Sequence, residues 1–186
     1  MSARRQRQMC IRDSAYSANF AENGTGNVAD VDATDPDSDP LTYFLSGTDA
    51  SDFTININGV ITFASTPDYE NPADNGGDNV YDFIVSVDDC NLGIDQQTFT
   101  ITVTNVDDNN PVISSPNSGN AYSANYAENG TGDVATVVAS DADGTTCTYS
   151  LSGTDAADFS INSSTGVITF ASTPDYENPA DDGGNN

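Results

Sequence analysis

The sequence predicts an all-β chain of two tandem sandwiches, the second truncated, on three observations. The first is aliphatic usage: Leu, Ile, Val and Phe make up 35 of the 186 residues, and 23 of these are Ile or Val against 4 Leu. That balance suits pleated strands better than helices. The second is alternation. Tyr81-Asp-Phe83-Ile-Val85-Ser-Val87 and Thr98-Phe99-Thr-Ile101-Thr-Val103 switch between apolar and polar with a period of two, the mark of a half-buried strand. The third is self-similarity: Tyr16–Gly26 returns as Tyr122–Gly132, 106 residues on, and Val60–Asp74 returns verbatim as Val167–Asp181. A repeat of this length matches one small β-sandwich per copy.

Composition alone points the other way. Few aliphatic residues and a formal net charge of −25 are the signature of disorder, and only the periodicity overturns it. Taken in order, the first repeat reads as seven strands, at about 15–21, 27–33, 41–46, 52–56, 59–64, 80–88 and 97–105. Gly, Pro and Asn punctuate the chain every 8–12 residues between these strands. The second copy supplies counterparts of the first five strands but not of the last two. The chain therefore reads as residues 1–14, a leader; 15–110, repeat 1; and 111–186, an incomplete repeat 2 of a longer protein. Met9–Ser14 resembles the translation of a sequencing adaptor, with a native basic leader as the alternative reading. Either way the segment is set aside from functional reasoning.

Charge narrows the function classes. The only basic residues are Arg4, Arg5, Arg7 and Arg12, with no Lys and no His. Such a chain lacks the basic footprint that nucleic acid requires, and it is unsuited to anionic lipid. No apolar run inserts this sequence into a membrane. Without His or Lys, Ser-His-Asp, Cys-His and Schiff-base catalysis are closed. A two-carboxylate glycosidase built on Asp68 and Glu70 is formally possible. Both residues recur in the second copy, however, and catalytic pairs are seldom duplicated in tandem, so the chain is read as no enzyme. Cys10, Cys90 and Cys147 show no metal-ligand spacing, and Cys147, standing where repeat 1 has Leu41, is expected as a small buried apolar residue.

The acids carry the signal. Of 29 acidic residues only four are Glu, and these fall in two motifs repeated once each: Ala-Glu-Asn at Glu22 and Glu128, and Asp-Tyr-Glu at Glu70 and Glu177. Confinement to repeated positions suggests side chains that need the reach of Glu, as for chelating an ion. Asp30, Asp49, Asp78, Asp155 and Asp181 are instead expected as solvated surface acids. Asp35-Pro-Asp37-Ser-Asp39 opens like an EF-hand, but Pro40 and Ser46 stand where that loop needs Gly and Glu. The sequons at Asn23, Asn129 and Asn162 are formal matches, the first two read as turn residues.

These residues together resemble the cadherin extracellular repeat. Its acidic hallmarks have counterparts in Ala21-Glu22-Asn23, Asp35-Pro36-Asp37, Asp68-Tyr69-Glu70, Asp89 and the linker Asn105-Val-Asp107-Asp108-Asn109-Asn110-Pro111. The second copy repeats Glu128, Asp141-Ala-Asp143 and Asp175-Tyr-Glu177. Departures are Asn105 for Asp, Asp107 for Asn, and Tyr69 and Tyr176 for Arg. The resemblance covers 15–186 and implies tandem Greek-key, immunoglobulin-like (cadherin-like) β-sandwiches with Ca²⁺ at their junctions. It assigns Glu22, Asp68, Glu70, Asp107, Asp108, Asp141, Asp143 and the carbonyls of Val106 and Asn109 to the junction between the repeats. Asp35, Asp37 and Asp89 would belong to an upstream junction, and Glu128, Asp175 and Glu177 to a downstream one. Three Ca²⁺ per junction are implied, the third short of an acid equivalent to Asp89 and so the weakest. The chemistry agrees independently, because Ca²⁺ takes six to eight hard oxygen ligands in irregular geometry, and with no His and three unpaired Cys zinc or copper sites are unsupported. The implied function is a calcium-rigidified adhesion or surface-interaction module, extracellular or at the cell surface. Its partners would be other cadherin-like repeats or a cell-surface protein or glycan. The alternatives are a polysaccharide-binding module and a passive stalk.

Overall fold

The structure, a computed structural model, describes residues 15–91, 93–119 and 121–183. The proposed leader 1–14 lies outside them, and with it all four Arg. The chain divides into two compact units between Val106 and Asp107. It is all-β. Apart from strands, the described residues hold only three-residue 3-10 turns, at Ala50–Asp52, Asn117–Gly119 and Ala156–Asp158. Among the described residues no helix is long and apolar enough to cross a membrane.

In the first unit the strands are β1 (Tyr16–Ala21), β2 (Ala29–Asp30), β3 (Thr42–Ser46), β4 (Phe53–Ile55), β5 (Val60–Phe63), β6 (Val80–Asp88) and β7 (Ile94–Thr104). One sheet has the order β1-β7-β6-β3 and the other β2-β5-β4. β6 and β7 pair antiparallel with Tyr81 opposite Ile101 and Phe83 opposite Phe99. The alternation read from the sequence therefore sends Tyr81, Phe83, Val85 and Val87 inward beside Phe99, Ile101 and Val103, each at most 3% exposed. From the facing sheet Phe53 and Ile61 meet them. Phe53 is the hub, its ring centroid 4.3 Å from Phe83 and 4.5 Å from Phe63, with Tyr81 set edge-on at 5.7 Å. Such contacts add to the area buried by each ring.

Of the seven residues expected to form the second strand, 27–33, only Ala29 and Asp30 form a regular ladder. Val28 and Val31 still donate to the carbonyls of Ile61 and Gly59, so the segment keeps its bonds while its pairing is interrupted. The β4–β5 turn needs its glycine. Gly59 lies at φ +79°, and a Cβ there would collide with the Val31 carbonyl oxygen. Gly166, its counterpart, stands in the same relation to Val137.

In the second unit the strands are β8 (Val112–Ser115), β9 (Ala135–Thr136), β10 (Val138–Ser140), β11 (Phe159–Ile161) and β12 (Val167–Phe170). β8 pairs with β10, and β11-β12-β9 form a three-stranded sheet. The counterparts of β2, β4 and β5 are thus in place. Those of β1 and β3, expected as strands, are irregular. Burial is correspondingly shallow: Ile61 is fully buried and Phe53 nearly so, but Ile168 and Phe159, at the equivalent positions, are half-exposed. Cys147 is likewise half-buried rather than buried, and Cys90 is exposed.

Candidate metal centre

At the C-terminal end of the first unit, β1 delivers Glu22 into the interior. Only 3% of this residue is exposed. Its Oε2 accepts the Tyr69 N–H at 2.7 Å and its Oε1 the Val106 N–H at 2.7 Å. The backbone reinforces the arrangement, with Glu22 N–H donating to the Thr104 carbonyl and Asn23 N–H to that of Pro67. A single carboxylate therefore ties the end of β1 to the 67–70 turn and to Val106, two residues beyond β7. Its reach explains why Glu stands here rather than Asp. Glu70 brings a carboxylate oxygen within 4.8 Å of one on Glu22. Asp68 is exposed, its Oδ1 accepting the Asn71 N–H at 3.0 Å.

The start of the second unit is organised by Asp143. Its Oδ2 accepts the N–H groups of Asp108 at 3.1 Å and Asn109 at 2.7 Å. Asp141 Oδ1 accepts the Asp143 N–H at 2.9 Å, forming an Asx turn. Asp107, Asp141 and Asp143 bring carboxylate oxygens within 4.8 Å of one another. At the far end of this unit Glu128, Asp175 and Glu177 do the same. There Glu128 Oε2 accepts the Tyr176 N–H at 3.2 Å, which reproduces the Glu22–Tyr69 bond. Glu128 is exposed where Glu22 is buried.

These groups fit calcium. Ca–O bonds of about 2.3–2.6 Å keep two ligands of one ion within roughly 5 Å of each other, and every donor is a hard oxygen. No Lys, Arg or His occurs after Arg12 to neutralise them. Asp35, Asp37 and Asp89 are arranged differently. Asp35 Oδ1 accepts the N–H groups of Asp37 and Asp39, while the buried Asp89 closes its own turn by accepting from Asn91 and Gly93. Asn91 bridges the two loops through its amide on Asp39. Among the described residues, none of the three, nor Asp68, joins a group of three carboxylates within that distance.

Two acids prove structural. Asp49, expected as a solvated surface residue, is 4% exposed, and Asp74 is 6% exposed. Asp49 Oδ1 accepts the Asn75 N–H at 2.8 Å and Oδ2 the Asp82 N–H at 2.7 Å, fastening the loop before β6 to the turn after β3. Asp74 accepts from Asp78 and Asn79. The available signal was repetition, since both acids recur, as Asp155 and Asp181. Burial acts to raise the Asp74 carboxyl, but the N–H groups of Asp78, Asn79, Gly77 and Gly76 outweigh it and hold the group below its ordinary 3.8. Neighbouring Asp52 is pushed up by burial and by the charges of Asp49 and Asp74. A depressed carboxyl contributes stability that is present above its unfolded pKa and lost as pH falls through the folded value; the raised Asp52 opposes this and relaxes on protonation. Asp74→Asn should therefore flatten the loss of melting temperature below about pH 4. A pH series on both proteins checks this, and an acid limb of unchanged slope would assign it elsewhere.

The chain is thus a tandem β-sandwich protein with carboxylate groups at the ends of its units. Comparison by sequence finds no matching family model and no matching curated protein. Comparison by structure finds many. EC1-2 of human protocadherin-24 superposes with TM-score 0.71 at 24% identity, covering 94% of this chain and 82% of that one. EC22-24 of mouse cadherin-23 gives TM-score 0.72 at 23% identity over 91% of this chain, which spans 56% of that longer structure. EC1-4 of Drosophila N-cadherin gives 0.69 at 24% identity, covering 90% and 41%. The fold is that of the cadherin extracellular repeat.

Proposed function

We propose that the chain is a calcium-binding extracellular repeat module that serves adhesion or surface interaction with other cadherin-like repeats. Calcium would hold consecutive repeats at a fixed angle. The observation that carries this reading is the recurrence of oxygen-only carboxylate groups at the unit ends, Asp107–Asp141–Asp143 at one and Glu128–Asp175–Glu177 at the other. Glu22 and Glu70 form the matching pair in the first unit. The ligand set proposed for the junction is Glu22, Asp68, Glu70, Asp107, Asp108, Asp141 and Asp143, with the carbonyls of Val106 and Asn109. Seven carboxylates with no cation among them repel one another, so the linker stays loose until divalent ions neutralise it.

The test measures the linker. Spin labels on native Cys90 and on Ser152→Cys, with Cys10 and Cys147 replaced by Ser, report one distance across it. The distance distribution should be broad in chelator and narrow in millimolar calcium. Equal widths in the two conditions would overturn rigidification.

A further inference from the structure

Tyr69 stands between Asp68 and Glu70, two of the acids proposed as ligands, and both of its backbone groups are held. Its N–H donates to Glu22 Oε2 at 2.7 Å, and its carbonyl accepts the side-chain amide of Asn79, Nδ2, at 2.9 Å. Glu22 grips the turn from the end of β1, and Asn79 grips it from the residue before β6. Asn79 is in turn fixed through its own backbone. Its N–H donates to Asp74 Oδ1 at 2.9 Å, and its carbonyl accepts the Val103 N–H at 2.9 Å. The buried Asp74 and the end of β7 thus orient the amide that holds Tyr69.

Asn79 is a costly residue for what the fold alone requires. It is 8% exposed, its backbone is left-handed at φ +64°, and its Oδ1 is buried without a hydrogen-bond partner among the described residues. Glycine adopts that backbone with the least strain, and a buried carbonyl oxygen left unpaired subtracts from stability. Glycine at this position would remove the strain and the orphaned oxygen together. It would also keep the backbone bonds to Asp74 and Val103. What glycine lacks is the Nδ2 donor. Local rules are broken most often at functional sites, and the bond that this side chain makes is to the carbonyl between two proposed ligands.

We infer that Asn79 is a positioning residue for the calcium centre. Through Nδ2 it holds the 67–70 turn, so that Asp68 and Glu70 present their carboxylates beside that of Glu22. The inference rests on the calcium reading above and names a residue outside its ligand set. Groups that orient metal ligands without touching the ion change affinity by about tenfold or more. The physical cause is ordering: a turn fixed in advance leaves less freedom for the ion to remove. Glu22 and Asn79 share this task from the two sides of Tyr69.

The test compares the unaltered full chain with Asn79→Gly and with a control, Val85→Ala. Val85 is fully buried and pairs with Leu45 and Gln97, so its truncation lowers stability without touching the turn. In calcium titrations Asn79→Gly should weaken the tighter sites about tenfold, while its melting temperature in chelator falls by less than that of Val85→Ala. The control should bind calcium as the unaltered chain does. In chelator the Tyr69 amide of Asn79→Gly should exchange roughly fivefold faster, as the loss of one hydrogen bond predicts. Unchanged calcium affinity in Asn79→Gly overturns the inference, and so does an unchanged exchange rate at Tyr69. An equal loss of affinity in Val85→Ala also overturns it, because stability alone would then be the cause. An unaltered chain that binds no calcium ends the calcium reading itself, and the inference with it.

Discussion

Saturating calcium should raise the melting temperature of the first unit by roughly 10–20 °C, and Glu22→Ala should abolish most of the rise. The magnitude follows from mass action. A ligand at a hundred times its Kd stabilises the state that binds it by about 2.7 kcal/mol, and each kcal/mol moves a domain of this size by about 4–8 °C. Calorimetric titration should resolve two tighter binding events and at most one weak one, the weak site being the one short of an anionic ligand. Glu22 is the decisive residue because both of its oxygens are held in place by backbone N–H groups. Little side-chain ordering is then left for the ion to impose. The alanine variant also deprives those N–H groups of their acceptor, at about 1–3 kcal/mol each, so its calcium-free melting temperature falls as well. Glu22→Gln separates the two effects, since it keeps an amide oxygen and loses the charge. A melting temperature indifferent to calcium, or a calcium shift that survives Glu22→Ala, would leave only a solvated acidic surface.

Phe53→Ala should destabilise the first unit by about 3–5 kcal/mol, while Phe159→Ala, the same change in the repeated position, should cost the second unit about 1 kcal/mol, in proportion to its shallower burial. Phe53 is 4% exposed and touches the rings of Phe63, Tyr81 and Phe83. Phe159 is half-exposed, and its ring contact is with Phe170. Hydrogen exchange on the unaltered chain should agree, with lower protection across 134–170 than across 28–64. Equal protection, or equal losses from the two substitutions, would contradict the difference in burial.

The strands that period-two alternation marks most clearly, β6 and β7, fall where the sequence places them. β7 begins at Ile94, three residues early, because the backbone ladder with β6 runs on to Asp88 through Asp95, Gln96 and Gln97. Those polar side chains interrupt the pattern without interrupting the hydrogen bonds. The irregular state of 122–127 was illegible for a related reason, since a strand's partner is not written in the strand itself. Among the acids, Glu22 stood out through the scarcity of Glu. Asp49 did not, because an acid in a polar loop reads as solvated until the N–H groups that bury it are located. Asp107, Asp141 and Asp143, three of the residues that the resemblance assigned to the junction, bring carboxylate oxygens together, whereas Asp35 and Asp89 spend oxygens on their own turns.

The parallel pairing of β1 with β7 determines how the first unit bears load. Residues 16–21 and 99–104 run in the same direction, so a pull between Tyr16 and Thr104 acts on opposite ends of the pair. Such traction slides the strands along each other and strains all the rungs at once instead of peeling them one by one. Beyond the last rung, the Glu22 carboxylate grips Val106 and extends the shear-bearing seam to the end of the unit. A tether built from units of this kind resists extension as a bolted lap joint does, by its overlap rather than by its weakest single bond.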